Sequence, residues 1–255
     1  EREGINQWVE DKTKDKIKEL IPEKGVDELT RLVLVNAIYF KGDWQEPFTT
    51  KNGGNTHKEV FTSASGKQQK IDFMHREGGF DLNVAPNAHV LALPYKGKEL
   101  RFFVILPHLD LPLPEFQKSQ SHQSLHQLMD SVKYQRVDLA LPKFKVETNL
   151  PLTKILEQMG MRTMFNISAD FSKITVTESL YISDVFHKAF IEVNEKGSEA
   201  AAATAVVGAA NSMPAPPPHP SVFLRVNRPF LFAIRHEPTG AILFMGALND
   251  ASHLV

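Results

Sequence analysis
From Glu195 to Asn211 the chain reads Glu-Lys-Gly-Ser-Glu-Ala-Ala-Ala-Ala-Thr-Ala-Val-Val-Gly-Ala-Ala-Asn, with nothing bulky before Val206, and it follows a strongly strand-forming run, Tyr181 to Val193. A permanent strand would carry β-branched or aromatic residues, and Ala200 to Ala203 in isolation would favour a helix because alanine loses no side-chain entropy there. Composition alone describes a flexible linker. The position, directly after a strand, argues for more: side chains this small fit where larger ones could not.

A chain of 255 residues, 42% of them hydrophobic, can bury a substantial core in one large domain or two small ones. A net charge of -1 gives no electrostatic case for nucleic acid or an anionic membrane. No uninterrupted apolar run approaches the roughly 20 residues that cross a bilayer. The absence of cysteine excludes disulfides, thiolate metal sites and a cysteine nucleophile.

Apolar spacing predicts an amphipathic helix over Asn6 to Ile21, ended by Pro22 and Gly25, and a strand covered on both faces over Leu32 to Phe40. Further strands are expected at Lys70 to Phe73, Leu82 to Ala85, His89 to Leu93, Leu100 to Leu106, Val137 to Leu141, Leu180 to Val193, Val222 to Val226, Phe230 to Arg235 and Ala241 to Ala247. Glu237-Pro238-Thr239-Gly240 supplies the turn of a hairpin between the last two. Helices are expected over Leu113 to Val132 and over Leu152 to Met159, the second behind Pro151. Strand-rich segments with dispersed helices give an α+β class with antiparallel or mixed sheets. Pro214 to Pro220 cannot join a central strand and reads as a stiff, exposed piece.

The chemistry of common enzymes is missing. There is no phosphate loop, dinucleotide fingerprint, GxSxG elbow or HExxH motif, and no catalytic residue is expected. His122 and His126 stand four apart on a predicted helix without a third ligand at suitable spacing, so neither a metal nor a cofactor is expected. Asn166-Ile167-Ser168 is a glycosylation acceptor in a secretory compartment.

Four segments, in this order and spacing, are similar to the serpins, a family of serine-protease inhibitors and relatives: Leu34-Val35-Asn36-Ala37-Ile38-Tyr39-Phe40-Lys41-Gly42-Asp43-Trp44, Asp184 to Val193, the hinge at residues 195–207, and Asn227-Arg228-Pro229-Phe230-Leu231-Phe232. The resemblance implies a serpin fold with mixed and antiparallel sheets, surrounding helices and a mobile reactive-centre loop at residues 195–221. It implies one domain over residues 1–255 that lacks the family's N-terminal helices and strands, expected as a missing portion or a separate chain. Without that portion, apolar faces of Leu32 to Phe40 and Phe230 to Ala247 are expected to be uncovered.

The resemblance further implies inhibition of serine proteases, with cysteine proteases as the wider class, by a suicide-substrate route. Asn211 and Ser212 would flank the reactive bond, with Met213 as the alternative acyl residue. The hinge, Glu195, Gly197, Ser198, Glu199, Ala200, Ala201, Ala202, Ala203 and Thr204, would feed a new strand between those containing Leu32 to Phe40 and Tyr181 to Val193. Asn36, Trp44 and His187 would act where the sheet opens. With Ser198 facing inward, alternation puts Ala200, Ala202 and Thr204 on the same face and Glu199 on the other. A non-inhibitory carrier, chaperone or storage protein is the alternative. The expected partner is a protease, with loop–sheet self-association also open; secretion is expected, and the cytoplasm is the other placement.

Overall fold
A computed structural model describes residues 1–198 and 222–250. In chain order it contains α1 (Arg2–Lys12), β1 (Val33–Tyr39), β2 (Gly42–Asp43), β3 (Asn55–Thr62), β4 (Gln68–Val84), β5 (Ala88–Pro94), β6 (Leu100–Pro107), α2 (Leu113–Ser119) and α3 (His122–Asp130). These are followed by β7 (Lys133–Pro142), β8 (Phe144–Pro151), α4 (Leu152–Gln158), β9 (Asp184–Asn194), β10 (Gly197–Ser198), β11 (Val222–Arg225), β12 (Phe230–His236) and β13 (Ile242–Leu248). The class is α+β. The chain divides into two compact units, Glu1–Phe40 with Val146–Ile191, and Lys41–Lys145 with Glu192–Val255, the latter including residues outside the described part.

In the first unit β1 and β9 run parallel and pair directly over seven positions, from Val33 opposite Asp184 to Tyr39 opposite Phe190. Helix α1 presents Val9 to a core that contains Ile17, Leu20, Ile21, Phe186 and Phe190, with Val33, Val35, Ala37 and Tyr39 of β1 packed against it. The helix stops at Lys12, well short of the expected Ile21. Thr13 donates its hydroxyl to Val9 O at 2.8 Å, Lys14 and Asp15 take positive φ, and the Asn6 amide bonds both the N–H and the C=O of Ile21. The apolar residues after Thr13 are thus buried by a chain that folds back, not by a longer helix. Strand β1 is not sealed on both faces among the described residues: Leu34 is 41% exposed and Asn36 is exposed.

The second unit is organised by β4, whose 17 residues pair antiparallel with β3, β5 and β7. The sheet order is β11-β7-β4-β5-β6-β12-β13, with β3 beside β4 and β11 parallel to β7. The two short strands expected at Lys70 to Phe73 and Leu82 to Ala85 are therefore ends of one. Gly78 and Gly79 do not break it because β7 pairs through them, and the Tyr134 side chain occupies the space a Cβ on Gly79 would need. Strands β3 and β8 are additions to the expected set. The expected helix over Leu113 to Val132 is two: Ser121 caps α3 in a reciprocal box with Ser124 and ends the run of α2. Both helices cover a core of Val90, Phe103, Ile105, Phe116, Met129 and Leu231. The expected hairpin forms, with Gly240 at φ +71° donating to His236 O. Of its two strands, β12 is buried from Phe230 to Arg235, contrary to the expected bare face, whereas β13 leaves Leu243 46% and Met245 53% exposed.

Candidate functional site
Strand β9 ends at Asn194, whose side-chain oxygen accepts the Lys196 N–H at 3.0 Å and so closes the reversal over Glu195 and Lys196. Gly197 and Ser198 then run back as β10, antiparallel to Asn194 and Val193 on one side and to Asp43 and Gly42 of β2 on the other. The first two residues after the turn already occupy a strand position between two others. Gly197 has φ +156°, and a Cβ there would stand 2.0 Å from Gly42 O, so the slot admits no side chain.

Ser198 is fully buried, and its Oγ lies 2.6 Å from the Tyr95 hydroxyl. Burial pushes the Tyr95 phenol far up, only partly offset by that hydrogen bond, so the pair stays neutral and mutually satisfied at any physiological pH. Tyr95 stacks on Trp44 with centroids 4.6 Å apart at 16°, and Trp44 meets Phe102 edge-on at 5.7 Å. Trp44, 1% exposed, donates Nε1–H to Asn194 O at 2.9 Å and its backbone N–H to Lys196 O at 2.8 Å. Trp44 thus holds the carbonyls on both sides of Glu195, one through its indole and the other through its backbone N–H.

Glu195 is fixed as well. The Phe48 N–H donates to its carbonyl at 2.7 Å, the Thr56 hydroxyl to its Oε1 at 2.8 Å, and Lys143 Nζ stands 3.2 Å from the same oxygen. Burial opposes its ionisation, but its own backbone N–H, Thr56 and Lys143 together outweigh burial and hold the carboxyl below the usual range.

In the first unit Asn36 and His187 face each other in the β1–β9 register, with Asn36 Oδ1 and His187 Nδ1 2.8 Å apart. With the amide oxygen accepting, that ring nitrogen carries the hydrogen. Lys188 on the same strand pairs with Glu147 at 2.8 Å and donates to Lys18 O.

Of the residues singled out from sequence, Asn36 meets His187, and Trp44 meets the turn that contains Glu195, Gly197 and Ser198. Glu199, Ala200, Ala201, Ala202, Ala203, Thr204, Asn211, Ser212 and Met213 lie outside the described residues. Tyr95, Thr56 and Lys143 were not legible as partners of the turn, because the contacts join positions 103, 139 and 52 apart in the chain. The only local signal was a tyrosine just beyond the strand at His89 to Leu93.

A family model described as Serpin (serine protease inhibitor) matches residues 1–251. Human antithrombin-III is 41% identical over 98% of this chain and 53% of its own length, and human serpin B3 is 43% identical over 98% of this chain and 63% of its own. The chain thus spans about half to two-thirds of the relatives it matches. Among solved structures, a thermophilic serpin, tengpin, in its native state superposes with a TM-score of 0.84 at 32% identity, covering 98% of this chain and 62% of that one.

Proposed function
The chain belongs to the serpin family, and from that membership we propose that it inhibits a serine protease, with cysteine proteases as the wider class, as a suicide substrate whose cleaved loop enters the sheet between β1 and β9. The observation that carries this reading is the state of the two strand pairings. Strands β1 and β9 are hydrogen-bonded to each other, while Gly197 and Ser198 are already turned back and paired with Asn194 and Val193, the last two residues of β9. This is the arrangement expected of an uncut trap: closed along its length and started at its mouth.

The target's nucleophile attacks the Asn211 carbonyl, the Ser212 amine leaves, and Asn211 stays esterified to the protease. The chain contributes the substrate peptide and no catalytic group. Ser198 to Asn211, fourteen residues at about 3.3 Å each, span roughly 46 Å as a strand, enough to drag the acylated protease far from its docking position before water completes the reaction. Insertion exchanges the single β1–β9 ladder for two. Each new bond is worth about 0.5–1.5 kcal/mol net, against about 1–2 kcal/mol to order each residue. Hydrogen bonding alone is therefore insufficient, and burial of the small inward side chains and relief of a metastable sheet supply the rest. The uncut state is then guarded by a barrier and not by equilibrium.

The buried inward orientation of Ser198 supports the alternation that puts Ala202 inward. Ala202→Asp should turn inhibition into plain cleavage, since insertion would bury an unpaired carboxylate. The test is incubation of the full-length protein with a protease panel, followed by denaturing electrophoresis and mass analysis of the released peptide. A stable covalent complex and a peptide beginning at Ser212 are expected; one beginning at Pro214 moves the acyl residue to Met213. Cleavage without a complex and without a gain in thermal stability would leave the non-inhibitory carrier, chaperone or storage reading. Secretion belongs to the same proposal: Asn166 and Ser168 are exposed, with the Ser168 N–H bonded to Asn166 Oδ1. A glycan at Asn166 on protein from its natural source is the expected sign.

A further inference from the structure
Strands β3 and β4 carry a cluster unrelated to the loop. His57 and Glu59 lie two apart on one face of β3, and Asn55, on that same face, sits opposite His75 of β4. One carboxylate oxygen of Glu59 stands 3.3 Å from His57 Nε2 and 3.1 Å from His75 Nε2. One ligand atom from each residue falls within a 4.8 Å set. From this we propose that His57, Glu59 and His75 form a zinc-class divalent metal site, two imidazoles and one carboxylate, with the fourth position open to water.

The distances fit that chemistry. Donors about 2.0–2.2 Å from a tetrahedral zinc lie roughly 3.3–3.5 Å from one another, close to both of the spacings from Glu59. Two further observations point the same way. His75 Nε2 is fully buried and makes no hydrogen bond of acceptable geometry, although Glu59 is within reach, so the atom lacks the partner that buried nitrogen requires. His57 Nδ1 lies 3.1 Å from Asn55 Oδ1; with that nitrogen donating, the Nε2 lone pair is left facing the cluster. This is the outer-shell contact that fixes the tautomer of a ligating histidine.

The two rings stack at 3.9 Å and 10°. A bound ion would require the rings to splay so that both lone pairs converge. His57, with its side chain 54% exposed, has the room to turn, whereas His75 at 11% is held by the sheet. Imidazole and carboxylate donors without thiolate suit zinc, and also cobalt, nickel and copper.

The experiment is titration of Zn²⁺ alone into chelator-treated full-length protein by calorimetry, with Co²⁺ as an absorbing substitute. One ion per chain is expected, weakened at least about tenfold in His57→Ala and in Glu59→Gln, both of them substitutions at exposed or half-buried positions. A visible d–d band of four-coordinate Co²⁺, lost in His57→Ala, would tie the ion to these ligands. His122 and His126 on α3, with rings 4.4 Å apart, are the competing pair, and His122→Ala should leave the titration unchanged. Binding that survives His57→Ala and Glu59→Gln, binding abolished by His122→Ala, or no heat and no band at 100-fold excess of metal would each overturn the proposal. None of these outcomes depends on protease inhibition.

Discussion

The turn after β9 and the β1–β9 seam are held in opposite ways. At the turn, Trp44, Tyr95, Thr56, Lys143 and Phe48 between them hold Asn194, Glu195, Lys196 and Ser198, with Trp44, Phe48, Tyr95 and Ser198 buried. Along the seam, among the described residues, the backbone ladder is joined by the Asn36–His187 side-chain bond, at a half-open surface, and by the tilted Tyr39–Phe190 ring pair at 6.1 Å. The difference teaches where selectivity and where ease of opening reside. Sterically exact contacts decide which residues can start a strand. The proposed parting of the ladder would disturb apolar packing of Phe186 and Phe190 with β1 more than it would orphan buried polar side chains.

The largest effect should come from Gly197→Val. Its Cβ would collide with Gly42 O, and eviction of β10 should cost about 1–3 kcal/mol, read as a lower midpoint in thermal unfolding. A neutral result would break the contrast, because the turn would then be no more exacting than the seam. His187→Ala should cost less, about 0.5–1 kcal/mol, since the lost hydrogen bond is at a partly solvated site. If it proved the costlier of the two, the seam and not the turn would be the specific element.

The smallest effect is pH-dependent. The Glu195 carboxyl is lowered in the folded protein, so its contribution is fully present above its unfolded value near 4.5 and is lost as pH falls through the folded value. Because the Glu195 side chain is still 28% exposed and water screens the pair, the contribution is about 0.5 kcal/mol or less. Between pH 5 and pH 3 the wild type should lose slightly more stability than Glu195→Gln in matched denaturant melts. Equal slopes would mean that Thr56 and Lys143 do not discriminate the charged form.

Much of this fold could be read from pattern. The runs at His89 to Leu93, Leu100 to Leu106 and Phe230 to Arg235 are β-rich and become β5, β6 and β12, and the Pro-Thr-Gly turn makes the hairpin. What escaped was decided by distant partners. Strand β3, Asn-Thr-His-Lys-Glu-Val-Phe-Thr, is too polar to announce itself and exists because β4 pairs with it. Helix α1 has the right period for nine further residues but is cut at Thr13 by side-chain bonds that propensity does not contain. The same holds at the candidate site. Trp44, Asn36 and His187 were legible through family resemblance, whereas Tyr95 and Thr56 act only because folding delivers them to the turn. Nor does spacing within the chain hint at His57, Glu59 and His75, since a register between antiparallel strands brings the third to the first two.

The position of Trp44 makes the protein its own gauge. The chain has two tryptophans, and the other, Trp8, is 55% exposed, so it supplies a steady, water-quenched background. Trp44 instead rests on a phenol whose hydroxyl touches the first inward-facing residue of the loop. Withdrawal or advance of that residue would alter the surroundings of one fluorophore, so stopped-flow emission would report the proposed loop movement in real time without a label.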